Sequence, residues 1–82
     1  MNCNFQIGDI VEVADKVDTD ITTIATIKII EPDADLPNVF WLYLLANEEV
    51  LNTNMHPVVG YYWDIIASDS EYIRLLSRAT IS

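Results

Sequence analysis

The sequence predicts a single all-β domain over residues 1–82, and three observations support this fold class. Eight of the ten residues at 21–30 are Ile or Thr, and β-branched side chains fit a pleated strand better than a helix. Apolar residues recur at alternate positions within residues 5–13, as in a half-buried strand. Asn, Asp and Pro residues separate the apolar runs, which is typical of turns in small β proteins.

The first predicted strand covers residues 5–13 and is followed by a polar loop at residues 15–20. One face of this strand is formed by apolar residues, with a Gly-Asp bend among them: Phe5, Ile7, Val11 and Val13. The second predicted strand covers residues 21–30. Residues 31–38 are predicted to form a loop, because two prolines and three acidic residues cannot continue a strand ladder.

The third predicted strand covers residues 39–46 and is apolar on both faces. One face carries Val39, Trp41, Tyr43 and Leu45, and the other carries Phe40, Leu42, Leu44 and Ala46. Either both faces are covered, or one of them exposes an aromatic patch. Residues 52–57 are predicted as a loop, and a fourth strand is predicted at residues 58–66.

The C-terminal segment allows two interpretations. Residues 68–71 match a capping box, after which a helix would place Tyr72, Leu75, Leu76 and Ala79 on one face. Alternatively, a short 3₁₀ turn leads into a strand with Ile73 and Leu75 directed inward. The β character of the rest of the chain favours the turn followed by a strand.

Several short motifs follow one another along the chain in an order that is typical of a known class of small β domains. The chain opens with Phe5, Ile7, the pair Gly8-Asp9 and alternating valines; Thr26-Ile27, Trp41 and Trp63 then follow in the later strands. In this order the sequence resembles an SH3-like small β-barrel. The resemblance implies about five strands with a short C-terminal 3₁₀ turn or helix, and binding of peptides or proteins through exposed aromatic residues. RNA-binding members carry Lys and Arg on their loops, where this chain carries Asp and Glu.

Charge is the strongest feature of the composition. Thirteen acidic and four basic residues give a net charge of −9. Residues 29–73 contain eight acidic residues and no Lys or Arg. Such a field repels nucleic acid and anionic lipid and attracts basic surfaces, although it also serves solubility. Together with the single cysteine, Cys3, the composition predicts a soluble cytoplasmic protein that binds neither nucleic acid nor membrane directly.

The sequence predicts no enzyme, no cofactor and no bound metal. Two glycines provide no phosphate-binding loop, and one Cys with one His provides no common zinc site. We interpret Cys3 and His56 as an inert thiol and a loop imidazole rather than as a nucleophile and its base. Two acidic groups lack the tight glycine turn of a Ca²⁺ loop and are interpreted as solvated: Asp18/Asp20 and Glu31/Asp33/Asp35.

We predict a partner-binding surface of exposed aromatic residues surrounded by acids, because a chain of this size cannot bury all of its aromatic side chains. Its members are Trp41, Tyr43, Tyr61, Asp33, Asp35, Glu48 and Glu49. The leading hypothesis is a non-enzymatic protein-binding module, an accessory or regulatory subunit, that docks a basic or mixed protein surface.

Two alternatives remain open. One is a phage or mobile-element inhibitor that mimics nucleic acid and blocks a DNA- or RNA-binding host defence protein. The other is a subunit whose aromatic residues are buried in a homo-oligomer. The positions of the acids discriminate between these hypotheses: a single acidic ridge favours mimicry, and scattered acids with one aromatic patch favour the binding module.

Overall fold

The computed structural model describes residues 3–47, 54–56 and 60–79, with residues 54–56 and 60–62 described as backbone alone. These residues form an all-β protein without a helix, which confirms the predicted fold class. The strands are β1 (Ile10–Ala14), β2 (Thr22–Pro32), β3 (Phe40–Ala46), β4 (Asn54–His56), β5 (Gly60–Tyr62), β6 (Asp64–Ala67) and β7 (Ile73–Ser77).

Five of the strands form one antiparallel sheet in the order β6-β3-β2-β1-β7. The last strand, β7, returns to pair with β1, with Leu75 opposite Val11. Strands β4 and β5 pair with each other as a separate hairpin between β3 and β6 in the chain. The pairing register of β2 and β3 shifts between Ile27 and Ile29. A shift of this kind, as in a β-bulge, bends the strand and increases its twist.

The core is formed by alternate residues of four strands. Its buried side chains are Val11, Val13, Ala25, Ile27, Leu42, Leu44 and Ile66. Partly buried Phe5, Trp63 and Leu75 pack against this cluster. Because successive side chains point to opposite faces of a strand, packing one face into the core leaves the other face directed outward.

The buried carboxylate of Asp9 joins the N-terminal and C-terminal segments. Asp9 Oδ1 accepts the backbone N–H of Ala79 at 2.7 Å, and Oδ2 accepts the Gln6 N–H at 2.8 Å and Arg78 Nη1 at 3.2 Å. Gly8 has a φ of +94°, and a Cβ at this position would lie 3.1 Å from the Ala79 Cβ. The Gly8-Asp9 bend therefore fixes the segment after β7 against the start of β1.

The first strand is shorter than predicted, because β1 begins at Ile10 rather than at residue 5. Val11 and Val13 are buried, as the alternation predicts. The prediction that Ile7 shares their face is wrong, since its side chain is 60% exposed. The Gly8-Asp9 bend separates Ile7 from the strand, so the period of two does not continue through it.

The loop predicted at residues 31–38 begins later than expected, because β2 continues through Glu31 and Pro32. Pro32 lies opposite Phe40, whose N–H donates to Ser68 Oγ at 3.0 Å and whose carbonyl accepts the Ser68 N–H at 2.8 Å. Both backbone groups of Phe40 thus face away from β2. Pro32 occupies a non-hydrogen-bonded position of the ladder, where the missing N–H breaks no bond.

The fourth predicted strand is divided in the structure. Its described part forms β5 and β6 with a bend at Trp63, while residues 57–59 lie outside the described residues. Residues 54–56, predicted as loop, form β4 and pair with β5.

The C-terminal segment is a turn followed by a strand. The Ser70 N–H donates to the Ala67 carbonyl at 3.0 Å, and β7 then begins at Ile73. Ile73 and Leu75 pack against the core, whereas Arg74 and Leu76 are exposed. This alternation is that of a strand, so the helical interpretation of the segment is wrong.

Candidate functional site

The face of β3 opposite the core carries the candidate site. Leu42 and Leu44 are fully buried, so the intervening residues Trp41 and Tyr43 point to the other side of the sheet. Trp41 is 39% exposed and Tyr43 is half-buried. Of the two alternatives for this strand, the exposed aromatic patch is the one observed.

Neighbouring strands complete the surface around these two rings. Ile29 of β2 and Ile65 of β6 lie opposite Tyr43, one on each side. Glu31 of β2 and Ala67 of β6 flank Trp41 in the same way. Directly opposed residues of an antiparallel pair have Cα atoms about 4.5–5.5 Å apart, so these side chains share one surface. We call the surface formed by Ile29, Glu31, Asp33, Trp41, Tyr43 and Ile65 the aromatic face.

Two acid–aromatic hydrogen bonds cross this face with the same offset. Tyr43 lies opposite Ile29, and its hydroxyl donates to Glu31 Oε2, two residues further along the chain, at 3.0 Å. Trp41 lies opposite Glu31, and its indole N–H donates to Asp33 Oδ2, again two residues further, at 2.9 Å. Diagonal neighbours across an antiparallel pair are within reach of long side chains, which explains the repeated geometry.

Asp33 also anchors the loop that follows β2. Its Oδ1 accepts the backbone N–H of Asp35 at 2.8 Å and that of Leu36 at 2.9 Å. These two bonds, followed by the bond from Trp41, lower the pKa of Asp33 below its ordinary value of 3.8, because each donor stabilises the charged carboxylate. At neutral pH, Asp33 is therefore a charged anchor that ties this loop to the Trp41 ring.

Asp35 occupies a different environment from Asp33. Its side chain is exposed, and its carboxylate makes no hydrogen bond or ion pair in the part of the chain that the structure describes. It is carried on the loop that Asp33 anchors. The two acids that were predicted together therefore differ: Asp33 holds the loop and the Trp41 ring, whereas the Asp35 carboxylate has no partner among the described residues.

For three of the predicted partner-binding residues the structure describes no side chain. Tyr61 lies in β5 opposite Met55, and the structure describes only its backbone. Glu48 and Glu49 lie outside the described residues. The structure thus brings together Trp41, Tyr43 and Asp33, with Asp35 on the adjoining loop.

The sequence prediction missed Glu31 and the two isoleucines of the aromatic face. Glu31 lies two residues before Asp33, a spacing that puts both side chains on one face of an extended strand. Pro32 obscures this spacing, because a proline between the two acids favours a loop over a strand. Ile29 and Ile65 become neighbours of Tyr43 only through strand pairing, which no local sequence pattern specifies.

The other acids are distributed over the fold, and several hold turns. Asp15, Asp18 and Asp20 precede β2, whereas Asp33 and Asp35 follow its opposite end. Asp15 Oδ1 accepts the N–H groups of Asp18 at 3.0 Å and Val17 at 2.8 Å, and these bonds lower the Asp15 pKa. Asp18 Oδ1 accepts the Asp20 N–H at 3.2 Å.

A second surface feature is a groove of about 250 Å³ between the end of β1 and the edge of β6. Trp63, Asp64 and Ile65 line one side, and Asp15, Lys16 and Val17 line the other. Asp64 Oδ1 accepts the Ile65 N–H at 2.8 Å, so this carboxylate already serves the edge of β6. The groove carries charges of both signs, in contrast to the aromatic face.

Neither a metal centre nor a membrane span is found among the described residues. No group of three or more His, Cys, Asp or Glu side chains is arranged there to hold a metal ion. Those residues likewise include no helix of the length and apolar character that crossing a membrane requires.

The fold and the site define a class: a small acidic all-β protein with an exposed aromatic face braced by carboxylates. No family model, curated protein or solved structure matches the chain.

Proposed function

We propose that this protein is a non-enzymatic protein-binding module, an accessory or regulatory subunit, whose aromatic face docks a basic or mixed surface of a partner protein. The observation that carries the proposal is the pair of diagonal bonds, Trp41 to Asp33 and Tyr43 to Glu31. They hold two aromatic rings on an outward face beside charged groups. Ordered aromatic side chains lose little conformational entropy on binding, and Tyr and Trp are enriched among the residues that dominate interface energies.

The charge distribution supports a basic partner. Glu31, Asp33 and Asp35 border the rings, and residues 29–73 contain no Lys or Arg. The nearest base in the chain, Lys28, is exposed at the register shift of β2. An acidic border around an aromatic centre attracts a basic surface during encounter, whereas the rings stabilise the complex once it has formed.

The positions of the acids favour this proposal over nucleic-acid mimicry. A mimic needs its carboxylates free and in a regular row. Here the acidic loops lie at opposite ends of β2. The carboxylates of Asp15 and Asp33 accept backbone N–H groups, and Glu12 pairs with Arg74 at 2.9 Å.

We also propose that the domain belongs to the SH3-like small β-barrels and acts in the cytoplasm. The strand order supports this proposal, because β7 follows β6 in the chain but pairs with β1 at the opposite edge of the sheet, and the register shift in β2 bends the sheet between these edges. The acidic composition and the single cysteine support the location.

The test is quantitative affinity purification from the native host with three immobilised proteins: the wild type, Trp41→Ser and Val17→Ser. Val17 is 97% exposed and lies outside the aromatic face, so its variant is a matched surface control. We expect one protein to be retained in stoichiometric amounts by the wild type and by Val17→Ser, and to be lost with Trp41→Ser. Equal retention by all three would refute docking through the aromatic face, provided that circular dichroism shows each variant folded.

A further inference from the structure

The aromatic face presents rings whose own hydrogen-bond donors are already used. The Trp41 indole N–H donates to Asp33, and the Tyr43 hydroxyl donates to Glu31. Trp41 is 39% exposed, and the only hydrogen-bond donor of its side chain is already bonded to Asp33. A ligand recognised by acceptor groups, such as a phosphate or a carboxylate, finds no donor on Trp41 and is repelled by the adjacent acids.

Two classes of side chain remain for this surface: apolar groups and cations. The faces of Trp and Tyr rings carry negative electrostatic potential and attract cations. The bracing carboxylates add to this potential, since each ring has an anion bonded at its polar edge. The hydrogen bonds that lower the Asp33 pKa keep one of these anions charged throughout the neutral range.

The flat ring of Trp41 distinguishes between the two common cationic side chains, arginine and lysine. A guanidinium group is flat, stacks on an indole and is more weakly hydrated than an ammonium group, which is a compact and strongly hydrated charge. A guanidinium stacked on Trp41 can direct its N–H groups sideways toward carboxylates. Asp35 supplies an exposed carboxylate, on the loop that Asp33 holds, that has no partner within the described residues.

From this geometry we infer that the anchor recognised on the partner is an arginine side chain, stacked on Trp41 and paired with the carboxylates of the adjoining loop. The inference rests on the proposed docking function and specifies the chemistry of its partner. It requires a positive charge on a planar group, so a neutral analogue of the same shape separates it from docking driven by apolar contact alone.

The experiment uses the full chain and three synthetic peptides, Gly-X-Gly-X-Gly, in which X is arginine, lysine or citrulline. Citrulline retains the planar shape of arginine without its charge. Binding is followed by ¹H–¹⁵N nuclear magnetic resonance at low salt. The Trp41 indole signal reports on the aromatic face, and the Trp63 indole signal, from the groove, is an internal reference in the same spectrum.

We expect the arginine peptide to shift the Trp41 indole signal saturably, with an affinity at least about fivefold above that for the citrulline peptide and above that for the lysine peptide. Asp35→Asn should weaken arginine binding about two- to threefold without moving the Trp41 signal of the free protein. In Trp41→Leu, which keeps an apolar side chain without a ring, the arginine-dependent shifts of the Tyr43 and Ile29 backbone amides should be lost. Val17→Ser should bind as the wild type does.

The results that would contradict the arginine assignment also show whether docking through the aromatic face survives. Equal binding of citrulline and arginine, or preference for lysine, would overturn the arginine assignment while leaving docking through the aromatic face intact. Shifts confined to Trp63, or none with any peptide, would overturn it as well. Docking itself then stands or falls on whether the partner purified from the host is lost with Trp41→Ser, so the two failures are distinguishable.

Discussion

The indole nitrogen of Trp41 and Oδ2 of Asp33 lie 2.9 Å apart, a bond that joins the third strand to the loop after the second. Asp33 Oδ1 accepts two backbone N–H groups of the same loop. Only a carboxylate can accept on both sides in this way, because an amide places an NH₂ group where one acceptor oxygen stood. The identity of residue 33 therefore determines the order of the loop and of the ring together.

This geometry predicts different effects for Asp33→Asn and Asp35→Asn, although each substitution removes one negative charge. Asp33→Asn must lose either the Trp41 bond or the two backbone bonds, so we expect a shifted Trp41 indole signal, faster amide exchange at Leu36 and a lower urea midpoint. Asp35→Asn should change none of these, because its carboxylate holds nothing within the described residues. Hydrogen exchange and urea unfolding of both variants provide the check, and matching profiles would show that Asp33 is not an anchor.

The lowered pKa values of Asp33 and Asp15 predict an acid-sensitive stability. A carboxyl whose pKa is depressed on folding stabilises the native state above its unfolded pKa, near 3.8, and loses that contribution as the pH falls through the folded pKa. The free energy of unfolding should therefore decrease below about pH 4. Urea titrations between pH 7 and pH 2 should show a shallower decrease for Asp33→Asn than for the wild type, and an unchanged slope in Asp33→Asn would contradict the prediction.

The Gly8-Asp9 bend predicts two costly substitutions at adjacent positions. Gly8→Ala places a Cβ at positive φ and 3.1 Å from Ala79, which should cost about 1–3 kcal/mol. Asp9→Ala leaves the N–H groups of Gln6 and Ala79 without their acceptor in a buried site, which should cost about 2–4 kcal/mol. Chemical denaturation measures both, with Val17→Ser as the exposed control, and unchanged midpoints would show that the Gly8-Asp9 bend does not stabilise the fold.

Binding to the partner should weaken steeply as salt rises, because charge steering is screened beyond about 8 Å at physiological ionic strength. Asp35→Asn should slow association roughly two- to threefold and flatten the salt dependence. Trp41→Ala should mainly raise the dissociation rate, by about tenfold or more. Surface plasmon resonance at several salt concentrations separates the two rates. If the acid variant abolishes binding while Trp41→Ala leaves it intact, nucleic-acid mimicry becomes the better explanation.

The amino-acid sequence by itself determined the class of fold and the grouping of Trp41 and Tyr43 on one face of their strand. The β-branched residues of β2 favour a strand through local steric effects, and the valines of β1 alternate with the two-residue period of a strand. Both features are visible in the sequence alone. The same period placed Trp41 and Tyr43 on one face. Charge, too, is a property of composition, so the acidic character of the surface required no structure.

Tertiary structure decided what local pattern cannot express. Pro32 continues β2 because its partner, Phe40, turns its backbone toward Ser68, and Ile7 is exposed because a bend interrupts the alternation before β1. The aromatic face exists only because β2 and β3 pair, after the register shift, with Ile29 opposite Tyr43 and Glu31 opposite Trp41. This pairing brings Glu31 and Asp33 diagonally opposite the two rings. The physical reason is that strand pairing joins residues distant in the chain, and a shift by one residue would turn each of these side chains to the other face of the sheet.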